Sequence, residues 1–382
     1  MKQITMLDLK LEYEYMKKDI DAALQKCLDH QRWIFGPEVK ELEDRIAQYM
    51  GTKHCIGSCS GTEALVLSLR ALAIKLKGNE FFDSTNEVIT TSFTFTATGD
   101  AILRSGATPV FVDIDPATFN IDTEKIKEYL SSSNNVVGIM PVHIYGQACN
   151  MDEIMKLAKE HNLFVVEDVA QAFGGGWKGQ KLGSIGNAGA FSFFPSKNLG
   201  GFGDGGVVTT DDDNIAEIVR MLIRHGGKDK YNVDHVGYNA RLDTLQAAIV
   251  LAKTKYIDEF NEKRRKIAEQ YSEGLKGVKG IELAKTLPDA YHVCHQYTVR
   301  VLNGKRNELQ TYLKEKGVST MIYYPHPLHK MKVFGEGRSI SNGNLSHSEE
   351  ATESVLSLPM EPLQGTEDTS YVVDCIKGYF RN

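Results

Sequence analysis

Residues 191 to 200, FSFFPSKNLG, decide the fold: a short aromatic strand runs into a glycine-rich turn. Lys197 lies at the end of that strand, which is the position of a lysine that forms a Schiff base with a cofactor. A second strand, residues 163 to 168 (LFVVED), ends in Asp168, and Gln171 follows three positions later. Together the three side chains predict a pocket for pyridoxal phosphate (PLP).

PLP chemistry requires these residue types. The cofactor withdraws electrons only while its pyridine nitrogen is protonated, and a carboxylate such as Asp168 placed against that nitrogen keeps the proton there. A Schiff-base lysine must leave when the amino donor arrives and then move a proton, so its pKa has to be depressed by burial or nearby positive charge. Lys197 is the candidate for this role. Gln171, one turn beyond Asp168, is placed to contact the ring hydroxyl oxygen.

Each of these residues also has an ordinary structural interpretation. Lysines are mostly solvated surface charges. An aspartate that ends a strand often caps the helix that follows. The prediction therefore depends on the joint arrangement of Lys197, Asp168 and Gln171.

Length and composition narrow the class of protein. A chain of 382 residues is too long for one ordinary domain and suits a large domain with a smaller companion. With 42% hydrophobic and 25% charged residues it falls in the soluble globular class. A net charge of −6 argues against a nucleic-acid binder. We expect the one basic cluster, residues 262 to 266 (EKRRK), to be a solvated helix face.

The N-terminal residues lack a leader pattern, and no long apolar stretch follows, so we expect a cytoplasmic protein without a membrane partner. The six cysteines are spread widely and are expected to be reduced. Cys55 and Cys59 lie beside His54, but no second pair has zinc-ligand spacing, so we expect buried, inert cysteines and no metal.

Strand-like and helical patterns alternate from about residue 51 to residue 217, which indicates a mostly parallel sheet flanked by helices. A long helical segment from about Leu242 to Leu275 then precedes a C-terminal α+β region. This pattern predicts a large PLP-binding domain, residues 1 to 250, and a small C-terminal domain that begins with the long helix, residues 251 to 382.

Two glycine-rich segments bear on phosphate binding. Residues 58 to 65, SCSGTEAL, end a probable strand and open a helix, so the N–H groups of Gly61 and Thr62 are placed to hold a phosphate. The alternative is a plain helix cap without a ligand. Residues 201 to 206, GFGDGG, match the dinucleotide fingerprint but precede a strand, which argues against that function.

The chain resembles the DegT/DnrJ/EryC1/StrS family of nucleotide-sugar aminotransferases over nearly its whole length. The motifs that carry the resemblance are SGTEAL (60–65), FTFTAT (93–98), FVDID (111–115), PVHIYGQ (141–147), EDVAQ (167–171), SFFPSKNLG (192–200) and NARLD (239–243). The resemblance implies the α/β fold of type I PLP-dependent transferases, as in aspartate aminotransferase. That fold has a large domain with a mostly parallel seven-stranded sheet and a smaller α+β C-terminal domain.

The resemblance also implies roles for individual residues. Lys197 would form the Schiff base and Asp168 would pair with the pyridinium nitrogen. The remaining cofactor contacts would be Gln171 on the ring oxygen, Phe95 stacked on the ring, and Gly61, Thr62 and Ser192 on the phosphate. Family members are homodimers with shared active sites, so Asn239 would reach the phosphate of the partner chain, with Arg241 supporting its loop.

Candidate substrate contacts come from matching loops: Trp33, Tyr145, Tyr323, Tyr324, His326 and His329. Segments 32–39, 224–227 and 323–330 look most like family members that aminate C3 of a UDP-linked 3-keto sugar derived from N-acetylglucosamine, with L-glutamate as donor. The alternative substrates are dTDP-linked 3-keto-6-deoxyhexoses and UDP- or GDP-linked 4-keto sugars. Two other classes stay open: a catalytically silent PLP-binding regulator, and a PLP-dependent dehydratase or amino-acid aminotransferase.

Overall fold

The computed structural model describes residues 3–229 and 231–381. The strands are β1 (His54–Ser58), β2 (Glu87–Thr91), β3 (Thr108–Val112), β4 (Val136–Ile139), β5 (Phe164–Asp168), β6 (Gly176–Trp177), β7 (Gln180–Lys181), β8 (Ala188–Ser192), β9 (Gly206–Thr210), β10 (Ile281–Leu283), β11 (Ala290–Tyr291), β12 (Tyr297–Val301), β13 (Ile340–Ser341) and β14 (Val355–Leu358). The α-helices are α1 (Leu9–His30), α2 (Pro37–Met50), α3 (Gly61–Lys77), α4 (Thr96–Arg104), α5 (Thr123–Leu130), α6 (Met151–Glu160), α7 (Asp213–Leu222), α8 (Thr244–Lys253), α9 (Ile257–Leu275), α10 (Arg306–Glu315), α11 (Ser346–Ser354) and α12 (Thr366–Arg381).

The central sheet has eight strands in the order β1-β9-β8-β5-β4-β2-β3-β13. All neighbours from β8 to β13 pair in parallel, whereas β9 is antiparallel to both β1 and β8. The prediction of a mostly parallel sheet is therefore confirmed. The two-residue strand β13, which pairs Ile340 with Val110, extends the sheet beyond the seven strands that were expected. So short a strand carries no periodic signal in the sequence.

Helices cover both faces of this sheet, which explains why its strands are almost uniformly apolar. Val88 and Val166 pack on one side with side chains from α3 and α7. Ile89 and Val165, their neighbours in sequence, pack on the other side with side chains from α2 and α6. Successive strand residues point to opposite faces, so each strand contributes to both layers of the core.

Helix α3 begins at Gly61, as the sequence predicts. The hydroxyl of Ser60 caps it by accepting a hydrogen bond from the N–H of Glu63 at 3.1 Å. The helix ends where Gly78 takes the left-handed conformation, with φ of 67°. Its N-terminus therefore lies immediately after β1, with the positive end of the helix dipole at the edge of the sheet.

The C-terminal part has its own core. Side chains of α9, α10 and α12 pack with a three-stranded antiparallel sheet, β10-β12-β14, and with Ile4 from the N-terminal segment. This separate cluster is what a small domain after residue 250 requires, and that division of the chain stays a prediction.

The prediction of one long helix from Leu242 to Leu275 is wrong in detail. A 3₁₀ turn, Thr254–Tyr256, separates α8 from α9. The hydroxyl of Thr254 donates a hydrogen bond to the carbonyl oxygen of Leu251 at 2.6 Å. Such local side-chain bonds compete with the regular helical ladder, which explains the break.

The basic cluster in α9 is not a fully solvated face. Arg264 is only 2% exposed and lies 3.6 Å from a carboxylate oxygen of Glu12 in α1. The ammonium of Lys253 in α8 also lies 3.6 Å from Glu12. A buried charge needs a partner, so this contact ties the N-terminal helix to α8 and α9.

No described helix combines the length and the apolar character that crossing a membrane requires.

The packing of α3 predicts a clear stability difference between two of its leucines. Leu72 is 1% exposed, whereas Leu76 in the same helix is 53% exposed. We expect Leu72→Ala to lower the free energy of unfolding by about 2–5 kcal/mol, because it removes buried methyl groups and leaves a cavity. Leu76→Ala should change it by less than about 0.5 kcal/mol. Urea unfolding of both variants measures the difference, and equal losses would contradict the core assignment.

Candidate active site

A cavity of about 460 Å³ lies at the carboxyl ends of β5 and β8, beside the N-terminus of α3. In open α/β sheets this edge is where ligands bind. The sequence-predicted residues that line it are Gly61, Thr62, Phe95, Asp168, Gln171, Ser192, Lys197, Tyr323 and Tyr324. The structure thus brings the proposed cofactor residues from four separate segments into one pocket, except for Asn239.

Lys197 follows β8 in a tight turn. Its N–H donates to the carbonyl oxygen of Phe194 at 2.8 Å, and a side chain at Gly200 would lie 2.3 Å from the carbonyl oxygen of Pro195. Burial lowers the pKa of the Lys197 amine to about 8, although the negative charge of Asp168 acts in the opposite direction. A large fraction of this amine is therefore neutral and nucleophilic near pH 8.

Asp168, at the end of β5, is 4% exposed. Its Oδ2 accepts a hydrogen bond from Thr98 Oγ1 at 2.9 Å, and its Oδ1 accepts one from the N–H of Ala170 at 3.1 Å. Burial raises the pKa of this carboxyl, while these hydrogen bonds and the charge of Lys197 favour the ionised form. A turn and not a helix follows β5, so Asp168 is not a helix cap.

A buried hydrogen-bond network around the carboxylate of Glu167 fixes the end of β5. The carboxylate of Glu167 accepts hydrogen bonds from the N–H groups of Gly183 at 2.9 Å and of Ile185 and Gly186 at 2.8 Å. The Nε2 of His143 lies 3.1 Å from the same carboxylate. Glu167 therefore turns inward with full hydrogen bonding and leaves Asp168 to face the cavity.

The N-terminus of α3 approaches the end of β8 closely. A Cβ atom on Gly61 would lie 2.6 Å from the Cβ of Ser192, so this approach needs glycine. The N–H groups of Gly61 and Thr62 make no hydrogen bond to the described residues. Free N–H groups at a helix N-terminus beside a serine hydroxyl form a site for a phosphate dianion.

Aromatic side chains form one wall of the cavity. The ring of Phe95 is 56% exposed, and its centroid lies 6.0 Å from that of Tyr324. Gln171 is held between two partners: its Oε1 accepts from the N–H of Tyr145 at 2.7 Å, and its Nε2 donates to the hydroxyl of Tyr324 at 2.7 Å. Phe95 and Phe194, which is 51% exposed and also lines the cavity, are therefore the more accessible aromatic side chains.

Five of the sequence-predicted residues do not line the cavity: Trp33, Tyr145, Asn239, His326 and His329. Tyr145 is buried behind it, with its hydroxyl donating to the carbonyl oxygen of Tyr323. Both ring nitrogens of His329 contact the protein, Nδ1 at 2.7 Å from Ser92 Oγ and Nε2 at 3.0 Å from Glu349. The roles of all five stay predictions.

The cavity residues that were not predicted from the sequence include Thr98, His295 and Gln296. Thr98 lies within a quoted motif, FTFTAT, but nothing in the sequence reveals that its hydroxyl meets Asp168, 70 residues away. The segment that carries His295 and Gln296 has no pattern that points to a ligand.

One side-chain cluster outside the cavity has metal-ligand types: Cys27, His30 and Glu38. Nδ1 of His30 accepts a hydrogen bond from the N–H of Arg32 at 3.0 Å, so Nε2 carries the ring proton and donates to Glu38 at 3.1 Å. Both ring nitrogens are thus used, which favours a hydrogen-bonded cluster over a metal site.

The residues of the cavity fit PLP. A buried amine with a lowered pKa suits an aldehyde, and the carboxylate of Asp168 suits a pyridinium nitrogen. Free N–H groups at Gly61 and Thr62 suit a phosphate, and the exposed face of Phe95 suits a flat aromatic ring.

The chain matches the family model of the DegT/DnrJ/EryC1/StrS aminotransferase family over residues 14–377. The most similar solved structures include S. venezuelae DesV in complex with a ketimine intermediate, with a TM-score of 0.93 and 36% sequence identity over 100% of both chains.

Similar proteins carry different names. A "pleiotropic regulatory protein" of Geobacillus stearothermophilus is 43% identical over 99% of each chain. A UDP-2-acetamido-2-deoxy-3-oxo-D-glucuronate aminotransferase of Pseudomonas aeruginosa is 39% identical over 95% of this chain and 96% of its own. A dTDP-3-amino-3,6-dideoxy-alpha-D-galactopyranose transaminase of Aneurinibacillus thermoaerophilus is 41% identical over 98% of this chain and 99% of its own.

The environment of Lys197 predicts its reactivity. In the protein free of cofactor, acetylation of Lys197 by acetic anhydride should rise with pH around a midpoint near 8, because burial lowers its pKa to about 8. Asp168→Asn should move the midpoint lower still, since the Asp168 charge raises that pKa. Peptide mass spectrometry at each pH measures the rate. A midpoint equal to that of a lysine peptide in the same tube, about 10.4, would contradict the burial argument.

Proposed function

Because the chain belongs to the DegT/DnrJ/EryC1/StrS aminotransferase family, we propose that it moves the amino group of L-glutamate to C3 of a UDP-linked 3-keto sugar of the N-acetylglucosamine type. The protein is a PLP-dependent sugar aminotransferase, the class to which its family and several of its relatives belong. What we propose is the identity of the amino donor, L-glutamate, and of the sugar that accepts the amino group.

The observation that carries the proposal is the presence of a buried amine, Lys197, and a buried carboxylate, Asp168, in one cavity. PLP, when bound, supplies an electron sink that lets an amino group leave one carbon and join another. Lys197 would hold the cofactor and then move a proton at its Nζ in both half-reactions. Asp168 would keep the pyridine nitrogen protonated.

Other cavity residues would bind and orient the cofactor. The N–H groups of Gly61 and Thr62, with the hydroxyl of Ser192, would hold the phosphate. Phe95 would cover the ring face and exclude water. Gln171 would support the edge of the ring next to Tyr324, to which it already donates a hydrogen bond at 2.7 Å.

The charge of the cavity supports a sugar over an amino acid as the acceptor. Lys197 is the one Lys or Arg side chain that lines it among the described residues. An amino-acid acceptor would need a guanidinium clamp for its carboxylate. Arg300 lies 3.8 Å from Glu282, and Arg306 donates to the carbonyl oxygen of Thr352 at 3.1 Å, so neither serves the cavity.

A homodimer with shared active sites is part of the proposal. Asn239 is exposed and contacts Arg241, and it does not line the cavity of its own chain. Its proposed contact with a cofactor phosphate therefore requires the cavity of a second copy.

The alternatives differ in nucleotide and carbon position. A relative that is named a dTDP-amino-sugar transaminase favours a dTDP-linked 3-keto-6-deoxyhexose as second candidate, and UDP- or GDP-linked 4-keto sugars come third. A relative named a regulatory protein keeps the silent regulator open. The intact pair of Lys197 and Asp168 favours catalysis, because a silent pocket has no need of a lysine with a lowered pKa.

Replacement of Lys197 tests the catalytic role. We expect Lys197→Ala to abolish steady-state amino transfer from L-glutamate to every nucleotide-linked keto sugar in a panel with UDP, dTDP and GDP carriers. Lys40→Ala, which removes a lysine with 72% of its side chain exposed, should keep the parent rate. The assay is formation of 2-oxoglutarate together with amino-sugar product. Measurable turnover by Lys197→Ala would contradict the assignment, and product from one sugar alone would identify the substrate.

The hydrogen bond from Thr98 to Asp168 predicts a pH shift. This bond lowers the pKa of Asp168, so Thr98→Val should raise that pKa. Asp168 is then protonated at a higher pH, and the pH below which the protein loses PLP should also rise. Dialysis at a series of pH values with absorbance of retained PLP measures it. Thr98→Ser keeps the hydroxyl and should match the parent, whereas loss of PLP from Thr98→Val at the same pH as from the parent would contradict the role.

A further inference from the structure

A directional chain of hydrogen bonds runs from the core to the cavity. The side-chain Nδ2 of Asn261 donates to the carbonyl oxygen of Phe173 at 3.0 Å, which fixes the orientation of that amide. Its Oδ1 accepts from Nδ2 of Asn198 at 2.7 Å, and the same nitrogen lies 3.2 Å from the carbonyl oxygen of Val293. The Oδ1 of Asn198 is therefore left as an acceptor, and Nδ1 of His295 lies 2.9 Å from it.

This chain sets the tautomer of His295. Since Asn198 presents an acceptor, Nδ1 of His295 must carry the ring proton and donate. Burial and the positive charge of Lys197 hold the pKa of His295 well below its usual range, so the ring is neutral. Nε2 therefore bears a lone pair. It makes no hydrogen bond to the described residues, and His295 lines the cavity with Lys197.

The backbone around His295 is fixed as well. The N–H of Val293 donates to the carbonyl oxygen of Gly146 at 3.0 Å, and that of Gln296 to the carbonyl oxygen of Tyr145 at 3.3 Å. Gly146 has φ of 97°, and a Cβ there would lie 2.9 Å from the N of His295. Residues 293 to 296 therefore form a rigid shelf, the acceptor shelf, against the turn that contains Gly146.

Nε2 of His295 is thus an acceptor without a donor among the described residues, in a cavity that His295 lines together with Lys197. An acceptor left without a donor costs free energy, so a ligand that brings a donor is favoured here. A hydroxyl group supplies such a donor.

We propose that His295 is a specificity-determining residue whose Nε2 accepts a hydrogen bond from a hydroxyl of the nucleotide-linked sugar, next to the carbon that reacts beside Lys197. The proposal rests on the proposed function, because it requires a sugar in the cavity. The tautomer set by Asn198 makes Nε2 an acceptor and prevents it from donating.

Two isosteric variants separate the acceptor from the structural role. In His295→Asn, the amide nitrogen takes the place of Nδ1 and keeps the bond to Asn198, while the acceptor at the Nε2 position is lost. In His295→Gln, the side-chain oxygen reaches the Nε2 position, while the bond to Asn198 is lost. Dissociation constants are measured by calorimetry on the PLP-loaded proteins with two pairs of unreactive probes: UDP-N-acetylglucosamine with UDP, and dTDP-glucose with dTDP.

We expect His295→Asn to weaken binding of the nucleotide sugar about three- to tenfold, the loss of one neutral hydrogen bond, with no change for the free nucleotide. His295→Gln should retain most of the affinity for the sugar. A sugar-to-nucleotide affinity ratio in His295→Asn equal to that of the parent would overturn the proposal. So would an equal loss for sugar and free nucleotide, because a structural defect would produce it.

Failure of the proposed function would give a different result from failure of the proposal for His295. If the parent protein binds neither nucleotide sugar, the substrate class is wrong, and the role of His295 falls with it. If the parent binds a sugar and only the effect of His295→Asn is missing, the proposed function stands and the inference alone is refuted.

Discussion

A buried amine and a buried carboxylate face one cavity, and the rest of the structure holds them there. Burial lowers the pKa of Lys197 and raises that of Asp168, and the charge of each partly offsets the effect on the other. Burial of either charged group costs free energy unless neighbouring groups hydrogen-bond to it or carry the opposite charge. The turn after β8 fixes Lys197, and Thr98 with the N–H of Ala170 holds the carboxylate of Asp168.

The residues that surround Lys197 and Asp168 in the cavity come from two parts of the chain. The sheet and α3 present the groups that hold a cofactor, whereas the acceptor shelf and Tyr323 and Tyr324 come from the C-terminal part and close the other side of the cavity. Asn198, which directly follows Lys197, joins the two parts through its contact with Nδ1 of His295 at 2.9 Å.

The parts of the fold and of the site that depend on local sequence patterns could be predicted from the sequence. The longer strands of the central sheet, the start of α3 at Gly61, the strand end that carries Asp168 and the turn after β8 that carries Lys197 follow from apolar runs and turn residues close in sequence. Contacts between residues that are distant in sequence could not be predicted. The partner of His295 is 97 residues away and that of Asn198 is 63, and the ion pairs of Glu12 join α1 to α8 and α9. No periodicity encodes such pairings, because they depend on tertiary packing.

The visible spectrum of the PLP-loaded protein before and after L-glutamate, and again after one nucleotide-linked keto sugar, tests the proposed function most directly. We expect the absorption band of PLP bound to Lys197 to disappear with L-glutamate and to return when a UDP-linked 3-keto sugar is added. A band that L-glutamate leaves unchanged, or that no nucleotide-linked keto sugar restores, would contradict the proposed function.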